Sequence, residues 1–94
     1  MKNVIVLGLG RFGSALARKL SEKNIEVMAV DMDYNKIQKL ADDVAYTAQA
    51  DITDPDALKE LGIKNFDIAI IATGSNLESS IEATLLCRML VLKL

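Results

Sequence analysis

Apolar residues fall along this chain in short blocks, separated by longer stretches in which they recur at helical spacing. Residues 4–7, 25–30 and 66–72 read as strands, and residues 44–49 as a weaker fourth between the last two. Helical patterns lie between them. Asp33 stands where it can cap a helix whose core face is Ile37, Leu40 and Ala41. Asp54 followed by Pro55 is an N-cap with proline in the first turn, and Gly62 falls just past the end of that helix. Ser75 with Glu78 forms a capping-box pattern for a last helix running to about Leu90. Strand and helix alternate without a Pro/Gly-rich linker. The pattern predicts an α/β fold, a Rossmann-like, doubly wound parallel sheet in three layers, in one domain over residues 1–94.

The last helix carries Leu77, Ile81, Leu85, Leu86, Met89 and Leu90 around its whole circumference. Such a helix is buried on more than one side, and the side away from the sheet is expected to be a dimer surface or to be covered by further sequence. Residues 91–94 follow without a turn residue, where a further crossover is expected, so the domain reads as truncated at its C-terminus.

Composition narrows the classes. Hydrophobic residues make up 51% of the 94, but aromatics only 4%. A core of Ile, Leu, Val and Ala suits a parallel sheet covered on both faces. The net charge of −2 gives no reason to expect nucleic acid or an anionic membrane as partner. Cys87 is the single cysteine and histidine is absent, so no intrachain disulfide can form and no metal site is expected. The single thiol fits a reducing cytoplasm. No apolar stretch reaches the roughly 18–20 residues needed to cross a bilayer, so no direct membrane insertion is expected.

The chemistry lies in the turn after the first strand. Gly8-Leu9-Gly10-Arg11-Phe12-Gly13 follows an apolar run, opens a helical pattern, and is answered by Asp31 at the end of the second strand. Dinucleotide sites have this context: the first glycine turns sharply off the strand, the second admits a pyrophosphate, and the third lets the helix pack closely on the sheet. The helix N-terminus then offers its N–H groups to phosphate. The Asp31 carboxylate can accept both ribose hydroxyls and repels a 2′-phosphate, which favours NAD(H), ATP, ADP or AMP over NADP; Lys36, one helical turn further on, works against that preference, and Met32 is grouped with them. Arg11 opposes the helix dipole, a cost that solvent exposure tolerates or that a phosphate reverses. Phe12 beside it reads as packing, with a place in the phosphate loop.

Asp51, Ile52 and Thr53 follow the third strand and offer backbone groups and a hydroxyl to an adenine edge, or serve to start the next helix. Ala72, Thr73, Gly74 and Asn76 follow the fourth strand as the other wall of the cleft, where small residues let backbone approach a ligand. Glu78 is a capping residue or, alternatively, holds a cation near phosphates. No catalytic residue is assigned. Histidine, G-x-S-x-G and Tyr-x-x-x-Lys are all absent, and Cys87 sits among apolar neighbours like a core thiol. Without a Walker-type loop, ATP here is regulatory and not hydrolysed.

The string Val6-Leu7-Gly8-Leu9-Gly10-Arg11-Phe12-Gly13 with Ala29-Val30-Asp31 resembles one family in particular. So do Ala50-Asp51-Ile52-Thr53 with Leu58-Lys59-Glu60-Leu61-Gly62-Ile63, and Ile70-Ile71-Ala72-Thr73-Gly74. These segments, spanning nearly the whole chain, are similar to the regulatory nucleotide-binding domains of potassium transport called RCK, KTN or TrkA-N domains. The resemblance implies a cytoplasmic regulatory subunit peripheral to the inner face of the cell membrane. It forms a homodimer or larger ring, partners a membrane potassium channel or transporter subunit, and gates ion flux through bound NAD(H) or ATP/ADP. It also implies a phosphate loop at Gly8, Gly10, Arg11 and Gly13, a ribose carboxylate at Asp31 and adenine contacts at Asp51, Ile52 and Thr53. The alternative is the cofactor-binding half of an NAD-dependent oxidoreductase.

Overall fold

A computed structural model describes residues 2–72 and, as backbone, 90–93. The described elements run β1 (Asn3–Leu7), α1 (Arg11–Glu22), β2 (Glu26–Asp31), α2 (Tyr34–Leu40), β3 (Tyr46–Gln49), α3 (Pro55–Glu60), a 3-10 turn (Ile63–Asn65), β4 (Ile68–Ile71) and β5 (Leu90–Lys93). The strands form one five-stranded sheet in the order β3-β2-β1-β4-β5. Every pairing is parallel, with Leu7 opposite Val30 and Ile71, and Asp31 opposite Gln49.

Alternation along the strands feeds two separate cores, as a sheet covered on both faces requires. On one face Ile5, Leu7, Val30, Ala69 and Ile71 pack with Leu58 of α3 and Ile63 of the 3-10 turn. On the other, Val4, Val6, Val27, Ala29 and Ile70 pack with Ala17 of α1 and with Ile37 and Leu40 of α2. The result is the three-layer, doubly wound arrangement predicted from the pattern. Strand order reverses between β1 and β4, which opens a crevice beyond their carboxyl ends.

Local chemistry sets the element ends. Asp33 caps α2 by accepting from Asn35 N–H at 2.9 Å, and Asp54 caps α3 by accepting from Asp56 N–H at 3.0 Å. Gly62 leaves α3 at φ 75°, in the left-handed region that glycine enters without a Cβ penalty. Asn24 does the same for α1 at φ 64°, a conformation asparagine tolerates better than most residues.

Three expectations are corrected. Ala41 is not on the core face of α2: the helix ends at Leu40, and Ala41 is its exposed C-cap. The strand expected over residues 66–72 is shorter. Phe66 ends the 3-10 turn, and Asp67 is clasped to Asn3, its N–H donating to Asn3 Oδ1 at 2.8 Å and its Oδ2 accepting Asn3 N–H at 3.1 Å. Leu90 begins a fifth strand instead of ending a helix, pairing with Ile68. The rest of the expected last helix, with its Ser75–Glu78 cap, its apolar faces and Cys87, lies outside the described residues.

Candidate functional site

The glycine-rich turn joins β1 to α1 at the strand-order reversal, and each glycine sits in a different physical situation. Gly8 has φ 100°, open to glycine and strained for other residues, and its N–H donates to Val30 O at 2.8 Å. Gly13 lies under the turn: a Cβ there would stand 2.0 Å from Gly8 O and 3.0 Å from the Ala72 Cβ. Close approach of α1 to the sheet therefore demands glycine at 13 and a small residue at 72. Gly10 is different. Its φ is −69°, ordinary for any residue, and a Cβ there would meet nothing within 4 Å. The chain's own packing does not require a glycine at this position.

α1 begins without a side-chain cap and without an acidic residue in its first turn. Its first ladder bond runs from Ser14 N–H to Gly10 O at 2.9 Å, so the N–H groups of Arg11, Phe12 and Gly13 are left to face the mouth of the turn. Ser14 Oγ donates to Leu9 O at 2.8 Å and fixes the turn from inside. Arg11 is exposed in that first turn, where the helix dipole disfavours a cation.

Asp31 ends β2 and fastens the turn across the sheet. Its Oδ2 accepts Leu9 N–H and its Oδ1 accepts Asp33 N–H, both at 2.8 Å. Each oxygen keeps further acceptor capacity, so the carboxylate is oriented by backbone and still able to accept from a ligand. Met32, next in the chain, is 57% exposed, and its carbonyl accepts from Gln49 Nε2 at 3.0 Å.

Beyond β3, Asp51 organises its own turn. Its Oδ1 accepts the Thr53 hydroxyl at 2.5 Å and the Thr53 N–H at 2.9 Å. These bonds, the hydroxyl's first, hold the Asp51 carboxyl below the ordinary aspartate value of 3.8. Ile52 packs against the α3-side core, which leaves backbone as what this turn offers outward. Capping of α3 falls to Asp54, not to Asp51 or Thr53.

Gly8, Gly10, Arg11, Gly13, Asp31 and Met32 thus lie at the carboxyl ends of β1 and β2, with Asp51, Ile52 and Thr53 beyond β3 and Ala72 beyond β4, its N–H donating to Leu7 O at 2.9 Å. Phe12, read as packing, is 53% exposed on the first turn of α1. Thr73, Gly74 and Asn76 lie outside the described residues. Lys36, on α2, lines a groove of about 330 Å³ between α1 and α2 together with Gly10 and Arg11 of the glycine turn, Ser14, Arg18 and Lys39. Arg18 and Lys39 were not singled out from sequence. Their signal is the helical spacing of Arg11, Ser14 and Arg18 on one helix and of Lys36 and Lys39 on another, which converge only once α1 and α2 lie side by side.

A parallel sheet with this turn and this acidic strand end defines a Rossmann-type fold. The TrkA-N domain pattern matches residues 4–93, and the chain belongs to the TrkA-N domain family. Over 89 residues it is 43% identical to the Ktr system potassium uptake protein C of Bacillus subtilis and 37% identical to protein A of the same system. Each alignment covers 95% of this chain, which spans 40% of the length of either relative. Among solved structures, the fold is shared with saccharopine dehydrogenase of Saccharomyces cerevisiae (TM-score 0.85, 21% identity, 99% of this chain and 21% of that one). It is shared also with the Kef C-terminal domain of Shewanella denitrificans in AMP-bound form (0.80, 21%, 98% and 57%). The GsuK channel bound to NAD is a third such neighbour (0.79, 18%, 98% and 17%).

Proposed function

We propose that this chain is the nucleotide-sensing domain of a potassium uptake system, binding NAD(H) or ATP/ADP without turning it over. The observation that carries the reading is Gly10, a glycine the chain's own packing does not need, placed beside the N-terminal N–H groups of α1 and the oriented Asp31 carboxylate. Phosphates lie against Gly10 and the first turn of α1, ribose hydroxyls on Asp31, and the base near the turn of Asp51, Ile52 and Thr53. Ala72, just past the carboxyl end of β4, belongs to the opposite wall, to which the sequence pattern also assigns Thr73, Gly74 and Asn76. Membership of the family and the Ktr relatives supply the potassium context.

The mechanism is linkage. The domain sits in the cytoplasm as part of a homodimer or larger ring on a membrane transporter subunit, and the nucleotide favours one subunit arrangement by its higher affinity for it. A dehydrogenase half is the weaker reading, because the likeness to an oxidoreductase is one of fold, at 21% identity.

Isothermal titration with NADH, NAD, ATP and ADP, with light scattering on the same samples, tests this. Micromolar binding with a change in assembly is the expected result. The Arg11→Ala, Asp31→Ala double variant is expected to lose at least about tenfold in affinity, equivalent to about 1.4 kcal/mol. Unchanged affinity in that variant would remove the site assignment.

A further inference from the structure

We infer that Gln49 is a positioning residue for Asp31, and that it sets how strongly the site prefers ribonucleotides to 2′-deoxyribonucleotides. The inference rests on the nucleotide reading above and names the residue that sharpens it. Gln49 closes β3, at the edge of the described sheet and opposite Asp31 in the strand register. It is exposed, so burial does not explain a side chain held in one place. Among the described residues that side chain makes a single hydrogen bond, from Nε2 to Met32 O at 3.0 Å.

The Met32 carbonyl belongs to the same peptide unit as the Asp33 N–H, which donates to Asp31 Oδ1 at 2.8 Å. This peptide is trans, hence planar, with its C=O and N–H pointing in opposite directions. Holding Met32 O from the β3 side therefore fixes the direction of the Asp33 N–H, and with it one oxygen of Asp31. A peptide bonded at both ends is also polarised, which strengthens each bond. The other oxygen, Oδ2, takes Leu9 N–H at 2.8 Å. Gln49 thus anchors one of the two bonds that orient the carboxylate.

The sheet itself does not depend on this side chain. Ala50 N–H donates to Asp31 O at 3.2 Å, and β2 and β3 pair through backbone. What side chain 49 holds is the loop after β2. Two ribose hydroxyls are met together only by a carboxylate already held in the right orientation, whereas a 2′-deoxyribose offers one hydroxyl and asks less of it. Loosening Asp31 therefore weakens ribonucleotides selectively.

The test compares the parent chain with Gln49→Met, which keeps the length of the side chain and removes its donor, by amide NMR and by titration with ATP and 2′-deoxy-ATP. In the unliganded variant the Asp33 amide is expected to move upfield and lose protection from exchange, with the Leu9 amide unchanged. The parent is expected to prefer ATP. In the variant ATP is expected to weaken about fivefold, the worth of about one hydrogen bond, while 2′-deoxy-ATP stays within about twofold. A merely structural role would weaken both nucleotides alike, and that result would overturn the inference, as would an Asp33 amide that does not move. If the parent binds neither nucleotide, the nucleotide reading falls and this inference with it. Equal affinity of the parent for the two, or a preference that survives in Gln49→Met, defeats this inference alone.

Discussion

Gly10 and Gly13, three residues apart in one turn, separate what folding requires from what a ligand requires. Adding a methyl at 13 drives it into Gly8 O, which is backbone and cannot swing aside. Gly13→Ala is therefore expected to lose on the order of 3 kcal/mol of stability, read by urea unfolding, as overpacked sites do when backbone must move. Gly10→Ala meets open space at an ordinary φ. It is expected to stay within about 1 kcal/mol of the parent in the same experiment, the usual range for an N-cap change. Its nucleotide affinity is expected to fall about tenfold or more, because the new Cβ stands between turn and phosphates. A Gly10→Ala chain that binds NADH and ATP as the parent does would show that no ligand approaches there. Asp51 gives a second residue-level test. Its carboxyl titrates below 3.8 because it is hydrogen-bonded while ionised, so this contribution to stability is present above 3.8 and is lost as pH falls through the folded-state value. Thr53→Val removes the hydroxyl donor and is expected to raise the Asp51 pKa toward 3.8, followed by carboxyl NMR. An Asp51 that already titrates at 3.8 in the parent would mean the turn is not formed in solution.

At the scale of elements, signals carried by neighbours in sequence were legible and those carried by neighbours in space were not. Asp33 and Asp54 were readable as caps because a cap bonds two residues along its own chain. The Asp54→Ala variant is expected to lose about 1 kcal/mol in urea unfolding with an unchanged slope, since α3 buries Leu58 either way. A loss near zero would mean that packing of Leu58 alone holds that helix. The glycine turn and Asp31 were legible for the same local reason, and their positions at adjacent strand ends follow from parallel pairing of β1 with β2. Ala41 was misplaced because helical periodicity continues one residue past the point where the helix stops. β5 is hidden in the sequence because its three apolar residues, Leu90, Val91 and Leu92, directly after a helical pattern carry no period of their own and no turn residue marks the break. The cationic groove needed α1 and α2 side by side, a tertiary fact to which no single stretch of sequence points.

At the scale of the molecule, a site at a strand-order reversal is shared by sensors and dehydrogenases, so what distinguishes them is what binding is coupled to. For a sensor, nucleotide binding and subunit association are linked, and the linkage is reciprocal: a ligand that tightens assembly must itself bind more tightly when assembly is promoted. Stability alone cannot reveal this. Any ligand selective for the folded chain raises its unfolding free energy by about 2.7 kcal/mol at 100 times its Kd, whether or not subunits rearrange. Titrating NADH and ATP at two protein concentrations that straddle the association midpoint does reveal it. The proposed function requires the apparent Kd to differ between the two concentrations, and the association constant measured by light scattering to shift in the matching direction when nucleotide is saturating, for a dimer with one ligand per subunit by the square of the ratio of the monomer and dimer Kd values. Independence of the two in these residues would leave a nucleotide-binding domain whose coupling resides elsewhere in a longer protein, as the 40% span of its Ktr relatives allows. A difference in Kd without the matching shift in association is thermodynamically barred for one linked equilibrium, and would point to a second ligand-dependent transition within the subunit.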